Sequence, residues 1–381
     1  MIKTAQRLNH IKEYYFSTKL KEIKRRNEAG ENIINLGVGS PDLLPPPSVI
    51  KALQNASEEL TANRYQSYIG IDDLRQEMSN WYAKYFGVNL NPENEILPLL
   101  GSKEGITHIS MAFLNKGDSV LVPNPGYPTY SSVTHLVEAN VLHYDLLEEN
   151  HWMPSVEQLK SIPLDQVKIM WTNYPNMPTG SKGNQEILEE LIQLAVKHQF
   201  IIVNDNPYSF ILNDNPISIL QLKNAEKCCL ELNSLSKLYN MSGWRVGMVS
   251  GKASLITEIL KVKSNVDSGM FLPVQKGAVE ALKQPKSWFD KINNEYHKRR
   301  ELVWKICDGL NLSYDKNSSG MFVWAKINNG QNSIDWCEEK LNQNHVFITP
   351  GIIFGSKGEH FVRFSLCASL EILEESLKRL Q

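Results

Sequence analysis

Residues 200–237 read FIIVNDNPYSFILNDNPISILQLKNAEKCCLELNSLSK, and two short apolar runs in this stretch decide the fold. FIIVND (200–205) and CCLEL (228–232) are of strand length, show no polar alternation and are separated by turn residues and a further segment. Uninterrupted apolar runs of this kind suit strands covered on both faces, as in a parallel sheet between helices. In such sheets ligands bind beyond the carboxyl ends of the strands. The first run ends at Asp205 with Tyr208 three residues on, and the second is followed by Ser234, Ser236 and Lys237. If the two strands are neighbours, one edge of the sheet gathers a carboxylate, a phenol and an amine.

The same arrangement extends outward. EILPLL (95–100), SVLVP (119–123) and VKIMW (167–171) are also short apolar runs followed by turns rich in Gly, Pro, Asn or Ser and then by amphipathic stretches. Strands alternating with helices predict an α/β architecture with a mostly parallel sheet. On the N-terminal side, RLNHIKEYYFSTKLKEIKRR (7–26) reads as a helix, and the prolines at 41 and 45–47 read as a connector. Toward the C-terminus helices are expected near 287–309, 333–342 and 370–380, around short strands. The expectation is a large domain over 46–279 and a small α+β domain built from 1–45 and 280–381.

Composition narrows the function. Forty Lys and Arg against 42 Asp and Glu, a formal charge of -2, leave no basic surplus for nucleic acid or anionic lipid. No run of 18 apolar residues spans a bilayer and the first residues lack a signal-peptide core, so a cytoplasmic protein is expected. Cys228, Cys229, Cys307, Cys337 and Cys367 are too irregular for a disulfide framework, and with no C-x-x-C or H-E-x-x-H present no metal is expected. GVGSPD (37–42) lacks the third glycine of a dinucleotide loop and leads into prolines, and no P-loop pattern occurs.

Single residues after the strands admit two readings each. Gly101 and Ser102 open a helix after EILPLL, either as an ordinary N-cap or as a phosphate site in which free N–H groups and the helix dipole do the binding, Lys103 lending its N–H more than its charge. Tyr127, in NPGYPTY (124–130), is either core or a ring laid against a planar ligand. Asp205 is either an exposed loop charge or a buried one with a cationic partner. Arg363, in the apolar run FVRFSL (361–366), needs an anion, internal or supplied by a ligand carboxylate.

Taken jointly, S-x-S-K at 234–237, the arginine eight residues after that lysine, and the stretch INLGVGSPD (34–42) resemble the fold-type I, pyridoxal-5'-phosphate-dependent aminotransferases of class I/II over essentially the whole chain. The resemblance implies that Lys237 forms the Schiff base with the cofactor and serves as general acid and base. It implies Ser234, Ser236, Arg245, Ser102 and Lys103 around the phosphate, Asp205 at the pyridine nitrogen, Tyr208 as donor to the phenolic oxygen, Asn173 among the cofactor-binding residues, and Tyr127 against the ring. It assigns the substrate carboxylate to Arg363 with Gly39 nearby. It further implies a homodimer in which Tyr65, five residues before Gly70, reaches the partner's phosphate, with Asn265 and Ser268 as weaker cross-interface candidates.

In NYPNMPTG (173–180) the family usually has asparagine where this chain has Met177, whose thioether cannot donate to the phenolic oxygen. A higher Schiff-base pKa than in relatives with the asparagine is expected unless Asn173 or Asn176 compensates. The activity implied is transfer of an amino group from an L-amino acid to a 2-oxo acid. Alternatives are a β-lyase or an aminocyclopropane-carboxylate-synthase-like reaction on the same scaffold, or a non-catalytic cofactor-binding regulator. GSKEG, PGYP and SNVDSG are similar to the branch that contains LL-diaminopimelate aminotransferases and relatives acting on methionine, aromatic or other neutral amino acids. Tyr14, Tyr15 and Phe16 either cover the substrate pocket, favouring apolar side chains, or pack the N-terminal helix.

Overall fold

The computed structural model describes residues 2–11 and 13–381. Seven strands form the main sheet: β1 (Ile96–Leu99), β2 (Ser119–Asn124), β3 (Asn140–Asp145), β4 (Val167–Thr172), β5 (Ile201–Asp205), β6 (Cys229–Ser234) and β7 (Gly247–Gly251). Their order across the sheet is β1-β7-β6-β5-β4-β2-β3. The pairs from β6 through β3 are parallel, and only β7 runs against both its neighbours. All five apolar runs of the sequence are strands. The mostly parallel α/β sheet expected from them is present.

β2 and β6 are buried at every position, because helices cover both faces. Successive strand residues serve opposite cores: Met170 and Ile202 pack toward Leu188, Leu191 and Ile192 of the helix Gln185–His198. Ile169 and Val203 pack toward Ile106 and Ile109 of the helix Ser102–Phe113. This two-sided burial is why these runs carry no alternation.

The C-terminal third adds an antiparallel sheet in which β11 (Phe361–Ser365) lies between the two-residue β10 (Thr349–Pro350) and β9 (Phe322–Ile327), with β8 (Leu312–Tyr314) outermost. Residues 34–35 pair in parallel with 346–347, which brings the two ends of the chain together. Helices Lys286–Gly309, Ser333–Asn344 and Leu370–Leu380 fall where the sequence places them.

Two expectations need correction. The N-terminal helix does not run over 7–26: a 3-10 turn covers Gln6–His10, and α1 (Tyr15–Glu28) begins only after Tyr14, whose ψ of 126° is extended. Residues two apart on a helix point about 200° apart, and the break lets Tyr14 and Phe16 line the same cavity. The prolines are not all connector, since Pro47 is the first residue of the helix Pro47–Ser57, where a missing N–H leaves no bond unmade.

Candidate active site

At the carboxyl ends of β5 and β6 a cavity of about 300 Å³ opens, and the predicted residues converge on it. Asp205 ends β5 and Ser234 ends β6, in register with Asp205 opposite Leu232, so the intervening turns deliver Tyr208, Ser236 and Lys237 to one edge. Lys237 sits in the four-residue helix Leu235–Leu238, and its Nζ donates to the Gly39 carbonyl. A Cβ at Gly39 would collide with the Phe322 ring, so the close approach of that backbone requires glycine. Burial, with Arg363 and Arg245 adding to it, holds the Lys237 ammonium below its ordinary pKa.

Asp205 is 5% exposed. One oxygen, Oδ2, accepts from the Tyr130 hydroxyl at 2.9 Å, and the other, Oδ1, is buried without a partner. Burial pushes the carboxyl up to about 7; the Tyr130 bond opposes this and the neighbouring Glu231 adds to it. Glu231 itself is enclosed by Tyr82, Asn204, Asn206, Ser218 and the Ile219 N–H. Tyr130 stacks on Trp171 with centroids 5.0 Å apart and planes 4° apart, which fixes the hydroxyl on Asp205. Tyr130 was not singled out from the sequence, although it stands one turn after Tyr127 in the same PGYPTY motif.

The helix that begins at Ser102 has no side-chain cap. Ser102 is its first residue and Gly101, at φ 89°, precedes it, so the capping reading of Ser102 is corrected. Above this end lies Arg245, against which a Cβ at Gly101 would collide; its Nη1 donates to the Ser242 carbonyl at 2.8 Å and to Ser236 Oγ at 3.4 Å. Ser234 Oγ accepts from the Ser236 N–H at 3.2 Å. Uncapped N–H groups, an arginine and three serines form an anion cradle. Lys103 contributes more than its N–H, because its Nζ lies 4.8 Å over the Tyr14 ring, inside the cavity. Burial, then Arg245, lowers its pKa.

Arg363 is 4% exposed and has no carboxylate partner among the described residues. Its Nη2 donates to the Gly37 carbonyl at 2.7 Å, its Nη1 lies 3.1 Å from the Met177 sulfur, and its Nε is buried and unpartnered. Phe322, Phe354 and Phe16 surround the guanidinium at 3.9, 4.6 and 5.5 Å. Burial lowers its pKa to about 10. Asn173 lines the cavity, with Nδ2 on the Asp205 carbonyl and Oδ1 accepting from the Met177 N–H. Asn176 turns into its own loop, where Oδ1 accepts from Thr179.

Tyr65 is not at this cavity: it is 92% exposed. Asn265 and Ser268 are likewise exposed, and their loop packs through Gly269 against the backbone of Gln66 and Ser67. The three predicted cross-interface residues therefore share one exposed face. Elsewhere Glu104, His108 and Asp267 bring side-chain atoms within 4.8 Å of one another, but buried Lys263 lies 2.8 Å from Asp267 and supplies the positive charge there. The cysteines are free thiols; all but the half-buried Cys367 are buried.

The geometry defines a class: an α/β protein whose strand ends hold a half-buried lysine, a carboxylate with an open oxygen and an anion cradle. Residues 31–380 match the family described as aminotransferase class I and II. The LL-diaminopimelate aminotransferase of Nitratidesulfovibrio vulgaris is 38% identical, covering 99% of this chain and 98% of its own length. That of Dehalococcoides mccartyi is 35% identical, covering 100% and 98%. Among solved structures, substrate-bound BacF from Bacillus subtilis superposes with a TM-score of 0.95 at 32% identity, covering 100% of this chain and 97% of the other. The chain belongs to the class I and II aminotransferases. It is a pyridoxal-phosphate-dependent enzyme that transfers amino groups between an amino acid and a 2-oxo acid.

The cofactor fits the residues present. Asp205 Oδ1 is an orphaned buried acceptor suited to a protonated ring nitrogen, and the uncapped helix with Arg245 suits the phosphate.

Proposed function

We propose that Lys237 carries the cofactor and moves the substrate proton, and that the donor is an L-amino acid with a neutral apolar or aromatic side chain. The observation that supports this most is the cavity wall. Beyond the groups suited to the cofactor and the α-carboxylate it is mostly apolar, with Tyr14, Phe16, Leu20, Val38 and Phe322 beside Lys103, and Asp205 is its only carboxylate among the described residues. A side-chain ammonium would find no anionic partner in this chain, and leaving it buried and unpaired costs several kcal/mol.

When bound, pyridoxal phosphate supplies an electron-withdrawing ring that accepts the charge left by a departing Cα proton. The chain's part is placement and proton handling. Ser102, Lys103, Ser234, Ser236 and Arg245 would hold its phosphate, Asp205 would keep its ring nitrogen protonated, Tyr127 would lie against the ring, Tyr208 would donate to its phenolic oxygen, and Asn173 would support the site through its bonds to the Asp205 carbonyl and the Met177 N–H. Arg363 takes the substrate carboxylate through its free Nε. Lys237 Nζ, held below its ordinary pKa by burial, would accept the Cα proton as a neutral amine and return it. Residues 46–279 form the cofactor-binding domain in this reading, with 1–45 and 280–381 as the second unit. The enzyme acts as a cytoplasmic homodimer in which Tyr65 reaches the partner's site.

A second reading takes LL-diaminopimelate as donor, after the names of the similar proteins; Lys103, a cation on the cavity wall, favours it by offering a site for a distal carboxylate. Single-turnover absorbance changes of the loaded enzyme separate the two. Methionine or phenylalanine converting the bound cofactor with higher kcat/KM than LL-diaminopimelate supports the neutral-donor reading, and the reverse order refutes it. A Lys237→Ala variant that still transaminates would remove Lys237 from its role.

A further inference from the structure

The cavity that holds the lysine and the arginine is small. At about 300 Å³ it lies at the bottom of the roughly 300–1,000 Å³ range of ligand sites. A pyridine ring with its phosphate arm and the α-carbon of an amino acid occupy most of such a volume. The side chain of a large donor must go elsewhere, and the structure provides a place.

A second cavity of about 700 Å³ adjoins the first, and both are lined by Tyr14 and Tyr127. These two tyrosines form the common wall, with their hydroxyl groups facing each other. Burial raises the pKa of both, so each remains a neutral phenol. Tyr14 belongs to the extended segment ahead of α1, held by the contact of its ring with Lys103 and by the Phe16 ring at 5.5 Å. Its carbonyl accepts from the N–H groups of Ser17 and Thr18 in α1, so passage between the two cavities requires its ring alone to turn. Ile352, Ile353, Phe354, Val122 and Tyr15 supply most of the chamber's apolar lining, and His135 and His143 belong to its polar part. Its one carboxylate among the described residues, Glu13, is paired with Lys21 at 2.6 Å and Ser17 at 2.7 Å.

We infer that this second chamber receives the far end of the donor's side chain, passing the Tyr14–Tyr127 wall, and that it selects long or aromatic apolar amino acids over short ones. The inference rests on the neutral-donor reading above. It adds that specificity is set by residues of the N-terminal segment and the 352–354 turn. The wall that the two cavities share sets the chamber directly beside the substrate site, and the paired state of Glu13 leaves its interior without an open countercharge for a cationic side chain.

The test is a donor series of alanine, methionine, phenylalanine and tryptophan, read as kcat/KM for the half-reaction of the pyridoxal-phosphate-loaded enzyme. Wild type should gain about 10-fold or more from alanine to phenylalanine, a step of the size that added methylenes confer in an apolar pocket. Ser132→Phe, which fills the chamber, should lower phenylalanine and tryptophan by about 10-fold or more and leave alanine within about 2-fold. Ile352→Ala, which enlarges it, should shift preference toward tryptophan. An unchanged bound-cofactor spectrum shows that each variant is folded. Alanine matching the larger donors in wild type, or all donors moving in parallel in both variants, overturns the chamber while transamination stands. Absence of any half-reaction overturns both.

Discussion

Arg363→Met separates the two roles that a buried arginine can have. The guanidinium lies among three phenylalanine rings, 4% exposed, with no carboxylate partner among the described residues. A pKa held near 10 in place of 12.5 corresponds to about 3 kcal/mol by which burial disfavours the charged form. Methionine of similar length removes that cost and takes from the Gly37 carbonyl one of its two donors, Thr349 Oγ1 remaining at 3.0 Å, a loss of about 1 kcal/mol. The balance is level or slightly favourable, so the substrate-free protein should melt within a few degrees of wild type or above it, about 2–4 °C answering to 1 kcal/mol in a chain of some 200 residues and less in a longer one. Activity should respond differently. Truncating one member of a buried charge pair costs about 2–5 kcal/mol, a loss in kcat/KM of roughly 30-fold to several thousand-fold for every donor alike, since all share the α-carboxylate. Calorimetry and half-reaction kinetics on the same preparation decide it. A variant that melts far below wild type would show Arg363 to be structural, and unchanged kcat/KM would show that the carboxylate binds elsewhere.

Asp205→Asn tests the carboxyl held near 7. A carboxyl whose pKa is raised by folding from 3.8 to about 7 gives stability that is present below about pH 4 and lost as pH rises through 7, about 4 kcal/mol in all. The cofactor-free wild type should therefore lose stability relative to Asp205→Asn over that window. Loading the cofactor, whose ring nitrogen brings a positive charge to Oδ1, should shrink the difference; parallel pH profiles with and without cofactor would refute the pairing. Met177→Asn should lower the Schiff-base pKa by adding an amide donor, read as a downward shift in the pH titration of the bound cofactor's absorbance; no shift would mean that this position does not reach the phenolic oxygen. The same variant gives Arg363 Nη1 an amide oxygen in place of a thioether at 3.1 Å, so any change in donor KM should be common to all donors.

Residues whose position follows from local chain direction could be read from the sequence, and those whose position follows from tertiary packing could not. Asp205 and Lys237 end or follow two-sided buried strands, and a parallel sheet carries such strand ends to one edge without further information. The two strands that went unread explain themselves. β3 is an edge strand with an exposed and half-buried pattern, and β7, GMVSG, contains too much glycine and serine to resemble a strand. Tyr14 was legible only as part of an aromatic run, because the break that turns it toward the cavity leaves no proline or glycine mark. Tyr130 and Glu231 act through partners 75 and 27 residues away, Asp205 and Asn204, and no spacing rule links them.

The charges of the cavity explain why these groups are strained in one direction. Lys103, Lys237, Arg245 and Arg363 line it against the single carboxylate Asp205. Burial pushes down the pKa of Lys103, Lys237 and Arg363, and it pushes Asp205 up. Arg363 is buried and Lys237 half-buried, while Lys103 and Arg245 stand exposed at the mouth, and a site with such an excess of cations is incomplete as protein alone. Its missing anions are the phosphate of the cofactor and the α-carboxylate of the substrate, and the missing cation at Asp205 is the protonated ring nitrogen. The α-carboxylate and the ring nitrogen therefore meet groups, Arg363 and Asp205, already desolvated in their absence, and each of these arrivals relieves a cost that folding has imposed. The cofactor should in consequence stabilise the fold by mass action and also prepare Lys103 and Lys237 electrostatically for the substrate, because neutralising Arg245 removes a repulsion that both lysines feel.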